Sequence, residues 1–165
     1  MRKLTSPFAL VLSSVIALGL TACGPSSPSS GTGDKVSADG VRTVEITGND
    51  QMQYSVHEIK AKPGEKLRIK LTNIGRMPAQ TMSHNWVLLK KMDASAVNAL
   101  AMSAASKTPD YLPADQSSIL AHTKLLGPGQ SDTVEITVPS EAGSYPYICT
   151  FPGHAALMKG QLIVQ

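Results

Sequence analysis

The chain has 165 residues, of which 42% are hydrophobic and only 16% charged, and its formal net charge is +3. This length suffices for one domain with a hydrophobic core and argues against several domains. Without the leader residues Arg2 and Lys3, 13 basic residues face 12 acidic ones, so the charge gives no support for a nucleic-acid-binding protein. The two cysteines, Cys23 and Cys149, lie in such different contexts that each needs its own explanation.

The first 22 residues have the features of a secretory leader. Arg2 and Lys3 precede an apolar stretch over 8–20, which is shorter than the roughly 20 residues of a membrane-spanning helix. The leader ends in Leu-Thr-Ala-Cys, which resembles the lipobox of bacterial lipoproteins, whose cysteine is acylated and becomes the new N-terminus. We therefore predict a lipoprotein signal peptide at 1–22 and lipidation of Cys23. The alternative is an ordinary signal peptide with an incidental cysteine.

The leader and the segment that follows it predict a location at the bacterial cell envelope. Residues 24–40 are rich in Ser, Gly and Pro and contain one apolar side chain, Val36, so they cannot bury enough surface to fold. We predict that 23–40 is a lipidated, flexible tether and that the folded domain is 41–165, in the periplasm. Gly24, where Asp would retain a lipoprotein on the inner membrane, favours the outer membrane.

From residue 41 onward the apolar pattern alternates with period two between Gly- and Pro-containing turns, which predicts half-buried β-strands. About eight strands in some 125 residues favour an all-β antiparallel sandwich or barrel. The predicted strands lie in 41–46, 51–61, 67–71, 86–89, 119–126, 134–138, 145–148 and 161–164. Residues 93–106 differ, because Val97, Leu100 and Ala101 have helical spacing and Asp93 can cap a helix.

One segment near the C-terminus concentrates soft metal ligands. Cys149, His154 and Met158 follow one another at spacings of five and four, in a loop that contains Pro152 and Gly153. A thiolate, an imidazole and a thioether suit copper in both oxidation states, whereas zinc sites rarely use methionine. His84 precedes a buried strand and can supply a second imidazole if the two strands are neighbours.

Five segments of the chain form a recognisable set of motifs: Gly48 to Gln53, His84 to Leu88, Asp110 to Leu112, Ala121 to Leu125, and Cys149 to Gly160. Together they resemble the azurins, blue-copper proteins of the cupredoxin type. The resemblance covers 43–165, and it implies an eight-stranded, cupredoxin-like Greek-key sandwich with one helical insertion.

The resemblance also assigns roles. It implies that His84, Cys149 and His154 bind one copper ion, and that Met158 is a long axial ligand. It further implies that the N–H groups of Asn85 and Phe151 donate to the thiolate, and that the carbonyl of Ser83 faces the metal, although the family has Gly there. In some azurins a titrating histidine occupies the position of Asn73, so we expect a reduction potential that depends little on pH.

By the same resemblance, Met52, Met77, Met82 and Met102 lie on loops around the point where His154 emerges. With Phe151, Pro152 and Ala156 they would form an exposed apolar docking patch, the alternative being ordinary core packing. His57 and His122 are expected to serve as surface or packing residues rather than ligands.

These features favour a type 1 copper electron-transfer protein, not an enzyme, which cycles Cu(II)/Cu(I). Expected partners are redox proteins such as a c-type cytochrome, a copper nitrite reductase or a terminal oxidase, with no nucleic acid and no small-molecule substrate. One alternative is a copper chaperone or copper-buffering lipoprotein with an open site. Another is a hydrolase that uses Cys149 as a nucleophile, but it gives Met158 no task.

Overall fold

The computed structural model describes residues 35–37 and 40–165. The predicted signal peptide, the lipidation site at Cys23 and most of the predicted tether lie outside these residues. Within them, no helix is long and apolar enough to cross a membrane.

Two sheets pack against each other with the core between them. One has four strands in the order β1–β2–β4–β7, and the other has five in the order β3–β9–β8–β5–β6. The strands are β1 Lys35–Val36, β2 Arg42–Gly48, β3 Glu58–Ala61, β4 Lys66–Asn73, β5 Val87–Leu89, β6 Ile119–His122, β7 Ser131–Thr137, β8 Gly143–Ile148 and β9 Lys159–Val164. The predicted sandwich is confirmed, as two open sheets rather than a closed barrel. The sheets are mixed rather than antiparallel, because β2 pairs with β4 and β3 pairs with β9 in parallel.

The alternating pattern produces the core directly. In β4, Leu67, Ile69 and Leu71 are fully buried, while the intervening basic residues face outward. Trp86, just before β5, and Tyr147 of β8 pack against each other on the side of the other sheet, with ring centroids 5.4 Å apart and ring planes tilted by 36°. The interior therefore joins both sheets through large side chains.

Helix α1, Ala94–Ala104, lies within the predicted 93–106 insertion. The Asp93 side chain accepts a hydrogen bond from the Ala96 N–H, which satisfies one of the free donors of the first turn. Val97 and Ala104 are its buried residues. The helix thus covers the end of the sandwich near the short 3-10 helix His154–Ala156.

The segment 51–57, predicted to be extended, is mostly a turn. The Asn49 side chain accepts hydrogen bonds from the N–H groups of Gln51 and Gln53, and Met52 has a φ of 57°. Strand β3 starts only at Glu58, after an isolated bridge between Gly48 and Tyr54.

The described residues contain nine strands rather than eight, because Lys35–Val36 pairs with the beginning of β2. This short strand belongs to the segment predicted as tether. It is joined to the sheet by a hydrogen bond from Arg68 Nη1 to Ser37 Oγ.

Candidate metal centre

His84 is fixed between two parts of the chain. Its backbone pairs with Leu126 through hydrogen bonds of 3.0 and 2.8 Å. Its ring Nε2 lies 3.0 Å from the Asn49 carbonyl, to which it donates, while Nδ1 is buried and has no hydrogen-bond partner among the described residues. An orphaned imidazole nitrogen of this kind needs a ligand, since burying an unpaired polar atom is costly.

The C-terminal loop is closed by its own backbone. The Cys149 N–H donates to the Met158 carbonyl at 2.9 Å, and the Met158 N–H donates to the His154 carbonyl at 2.8 Å. Gly153 has a φ of 82°, a left-handed conformation that costs glycine little. These bonds hold the thiol, the imidazole and the thioether of one loop on the same side.

Three donor atoms converge. One nitrogen from each of His84 and His154 and the sulfur of Cys149 all lie within 4.8 Å of one another, and all three residues are buried. Cys149 Sγ is 3.6 Å from His154 Nδ1. This His–Cys–His group can hold one metal ion.

Met158 lies beside this group, and Gly48 makes room for it. A Cβ added at Gly48 would lie 2.7 Å from Met158 Cε and 3.0 Å from His84 Cδ2, so a side chain there would displace the Met158 methyl group or the His84 ring. The sequence analysis placed Gly48 and Asn49 in a motif without giving either a role. Their function depends on contacts across the fold, which residue spacing does not reveal.

Burial raises the pKa of the Cys149 thiol to about 12, although hydrogen bonds from the N–H groups of Asn85 and Phe151 lower it. These two amides are the donors that the family resemblance implies. The Asn85 side chain also joins its strand to the loop, donating to Thr150 Oγ1 at 2.8 Å and accepting from the Thr150 N–H at 2.9 Å.

Both histidines of the group are neutral at physiological pH. Burial, with a smaller contribution from His84, lowers the pKa of His154 to about 4. Burial also lowers the pKa of His84, against the opposing effects of the Asn49 carbonyl and Asp50. Neutral imidazoles have a nitrogen lone pair available for a metal, so the pocket is prepared for a cation.

The other predicted site residues are placed as follows. The side chain of Ser83 is buried and its hydroxyl donates to the Ala79 carbonyl at 2.7 Å. His57 and His122 are both exposed, and His122 Nδ1 lies 3.1 Å from the Thr123 carbonyl. Neither belongs to the metal-binding group found among the described residues.

The predicted docking patch is exposed only in part. Met102 is 78% and Met77 42% exposed, and Pro152 and Ala156 are also exposed, whereas Met52 and Met82 are half-buried. Phe151 is buried beneath the rings of Tyr111 and His154, which corrects the expectation that it contributes to the exposed patch. Leu157, 59% exposed, is an addition that the sequence analysis missed.

The fold and the site define a class. A thiolate and two neutral imidazoles in a buried pocket, with a thioether beside them, form a soft donor set that suits copper. This is the site of a copper protein built on a two-sheet β-sandwich.

Comparison with known proteins agrees with this class. The family described as copper binding proteins of the plastocyanin/azurin family matches residues 41–165. Azurin of Pseudomonas aeruginosa is 41% identical over 126 residues, covering 74% of this chain and 84% of the relative. Azurin of Bordetella pertussis is 42% identical over 123 residues, covering 73% of this chain and 81% of the relative.

Solved structures give the same result. Auracyanin A, a blue copper protein of Chloroflexus aurantiacus, has a TM-score of 0.68 and 36% identity over 76% of this chain and 100% of that chain. Reduced auracyanin of Roseiflexus castenholzii has a TM-score of 0.67 and 32% identity over 74% of this chain and 96% of that chain. The chain belongs to the plastocyanin/azurin family of copper-binding proteins, and it is a type 1 copper electron-transfer protein with one copper ion.

Proposed function

We propose that this protein is a lipid-tethered one-electron carrier of the bacterial cell envelope, in which His84, Cys149 and His154 bind copper and Met158 is the axial ligand. The observation that carries the proposal is the convergence of the three donor atoms within 4.8 Å inside the protein. When bound, copper supplies a Cu(II)/Cu(I) couple that accepts or donates one electron.

The protein's own residues keep the site rigid. His84 is held by the bridge to Leu126 and by the Asn49 carbonyl, while backbone hydrogen bonds close the loop from Cys149 to Met158. Hydrogen bonds from the amides of Asn85 and Phe151 to the sulfur favour its negative charge and tune the reduction potential. A site that changes its geometry little suits rapid electron exchange.

Burial of the ligands argues against the two alternatives. Cys149 is 0% exposed, so a substrate cannot reach the thiol, and we propose no enzymatic activity. A copper chaperone needs a site from which the metal leaves easily, whereas His84 is 0% and His154 3% exposed here. The burial of the ligands therefore favours a protein that retains its copper ion over a chaperone that delivers it.

Partners would dock where His154 approaches the surface. Next to it, a groove of about 390 Å³ is lined by Met102, Phe151 and Ala156, together with small residues of α1. A small, weakly charged apolar surface suits the brief contacts of electron-transfer complexes. A c-type cytochrome, a copper nitrite reductase or a terminal oxidase remains our proposal for these partners.

The location at the envelope rests on the sequence. We propose that residues 1–22 are removed, that Cys23 carries the lipid and that the domain lies in the periplasm, anchored to the outer rather than the inner membrane. Replacing Cys23 by Ser should move the protein from the membrane to the soluble fraction of fractionated cells. A variant that still sediments with membranes would contradict the anchor.

The metal assignment is tested by titrating the detergent-solubilised chain with Cu(II). We expect an intense visible thiolate-to-copper band at one equivalent, its loss in Cys149→Ser, and a shifted potential with retained colour in Met158→Leu. His122→Ala is the matched control, and it should keep both the band and the potential. A Cys149→Ser protein that stayed blue, or a colourless wild type that exchanged its copper readily, would refute the proposal.

A further inference from the structure

The two ends of the sandwich differ in chemistry, and strand register shows which residues lie at each end. β2 and β4 run parallel, with Arg42 opposite Leu67 and Gly48 opposite Asn73. Gly48 packs against Met158 and His84, so the C-terminal ends of both strands are at the copper site. Gly48 is six positions after Arg42, and each residue of a strand adds about 3.3 Å. Arg42 therefore lies roughly 20 Å from the metal end, and so does Lys66, which precedes its partner Leu67.

In the second sheet, too, strand register shows which end lies away from the copper site. β3 runs parallel to β9, with Glu58 opposite Gln161 and Ala61 opposite Val164. β9 starts at Lys159, beside the metal loop, so Ala61 and the turn that follows it lie at the far end.

The far end is basic. Exposed Lys60, Lys62 and Lys66 surround the turn between β3 and β4, which we call the basic end. Two carboxylates lie near these lysines. Glu65 is bound by Arg42 Nε at 2.8 Å and by the Lys62 N–H, and Glu58 lies 3.4 Å from Lys60 Nζ, so Lys62 and Lys66 carry most of the unpaired charge among the described residues. The copper end carries charges of both signs: Asp50, Asp110 and Asp132 against Arg76, Lys107, Lys124 and Lys159.

The chain also enters the domain at the basic end. Lys35 pairs with Thr43, only one residue along β2 from Arg42. Lys35 is 12 positions after Cys23, and a tether that behaves as the proposed random coil would have a root-mean-square length of about 17–21 Å over this stretch. A lipid at Cys23 therefore keeps the basic end within reach of the headgroups.

We infer that the basic end is a docking surface for an anionic phospholipid membrane, so that the anchored protein presents its copper end away from the bilayer. This inference rests on the proposed lipid anchor. Lysines within a Debye length of an anionic surface strengthen membrane contact by about fivefold each, whereas the copper end gains less because acidic and basic residues nearly offset one another there. Redox partners then reach the copper end from the aqueous side, not from within the same membrane.

The test compares lysine reactivity in the acylated, copper-loaded full chain. The chain is incorporated into vesicles of phosphatidylethanolamine and phosphatidylglycerol, treated with a water-soluble succinimidyl reagent and analysed by mass spectrometry. We expect the reactivity of Lys60, Lys62 and Lys66 to fall severalfold relative to detergent micelles. Lys107, near the copper end through the contact of Tyr111 with Phe151, should stay reactive.

Two controls separate charge from tether. Neutral phosphatidylcholine vesicles should give little protection, and the double variant Lys62→Gln, Lys66→Gln should lose the protection of Lys60 on anionic vesicles. A chain that floats with the vesicles but has Lys107 as protected as Lys62 would refute the orientation alone. A chain that floats with neither vesicle would refute the anchor and this inference with it, while the copper titration would still test the carrier.

Discussion

Gly48 leaves room for the side chains of Met158 and His84. A Cβ added at this position would lie 2.7 Å from Met158 Cε and 3.0 Å from His84 Cδ2. The contact joins the end of β2 to the metal loop, which is 110 positions later in the chain. The position of the thioether therefore depends on a residue that makes no bond to the metal.

Gly48→Ala is expected to disturb the site and the stability together. Overpacking of this kind costs about 1–3 kcal/mol, and displacement of Met158 should shift the reduction potential. Urea denaturation and voltammetry measure the two effects. Gly64→Ala is the control, because its Cβ meets nothing within 4 Å; its φ of 74° should lower stability but leave the potential unchanged. Equal potentials for both variants and the wild type would contradict this role for Gly48.

Asn73 is a second residue that acts through others. It is fully buried and joins three segments, donating to the carbonyls of Leu126 and Met82 and accepting from the Gly75 N–H. An amide has no proton to gain or lose between pH 5 and 8.

We expect the reduction potential to stay nearly constant between pH 5 and 8, since the amide of Asn73 does not titrate there. Asn73→His should introduce a pH-dependent step, because an imidazole titrates in this range. Voltammetry across that range measures the reduction potentials of both proteins. A strong pH dependence in the wild type would overturn the expectation.

At the level of elements, the copper loop is joined to the strand that carries His84 by side-chain hydrogen bonds. Asn85 and Thr150 exchange two of them, and both residues are buried. Because Thr150 follows Cys149 and Asn85 follows His84, this pair sets the distance between the two ligands.

Thr150→Val should leave the Asn85 amide without its acceptor and cost about 1–3 kcal/mol of stability. Copper should also dissociate faster, which transfer to a chelator measures by loss of the visible band. Thr72→Val is a matched control, since Thr72 makes an exposed hydroxyl contact with Ser131 and should change neither quantity much. Identical chelation rates for the two variants would argue against the link.

A second link between elements, the contact of Arg42 with Glu65, makes the stability of the fold depend on pH. Partial burial alone would raise the pKa of Glu65, but the hydrogen bond from Arg42 and the Lys62 N–H outweigh it and lower the pKa. The folded state therefore binds this proton less readily than the unfolded chain does. Its stabilisation is present above the ordinary glutamate range and is lost as the pH falls through the lowered pKa.

Glu65→Gln is expected to lower the free energy of unfolding at pH 7 by about 1 kcal/mol, since the pair is only partly buried. The difference from the wild type should shrink as the pH falls below about 4. Urea denaturation at a series of pH values checks this, with the exposed Glu58→Gln as a control near zero. A difference that grew in acid would have the wrong sign.

At the level of the whole molecule, the sequence predicted the sandwich, the helix and the soft-donor group because these depend on local pattern. Strict alternation in β4 and three soft donors in one loop are signals that a single sequence carries. A single sequence does not show which residues far apart in the chain come into contact. The room provided by Gly48, the burial of Phe151 by Tyr111, and the pairing of Lys35 with Thr43 appear only when the strands are assembled.

The prediction of a strand at 51–57 was wrong for a similar reason. Alternation there resembles a strand, yet the Asn49 side chain takes the amides that a neighbouring strand would need. A short polar side chain that competes for backbone hydrogen bonds overrides the apolar pattern.

The parallel pairing of β3 with β9 also determines when the protein can become functional. This pair joins residues about a hundred positions apart, and we expect such distant contacts to form late in folding because closing long loops costs entropy. The metal loop lies between β8 and β9, so we expect it to meet His84 only after the final strand has docked. We therefore expect metallation to follow synthesis and export of the whole polypeptide, and metal availability in the compartment of arrival to decide which ion the newly folded chain acquires.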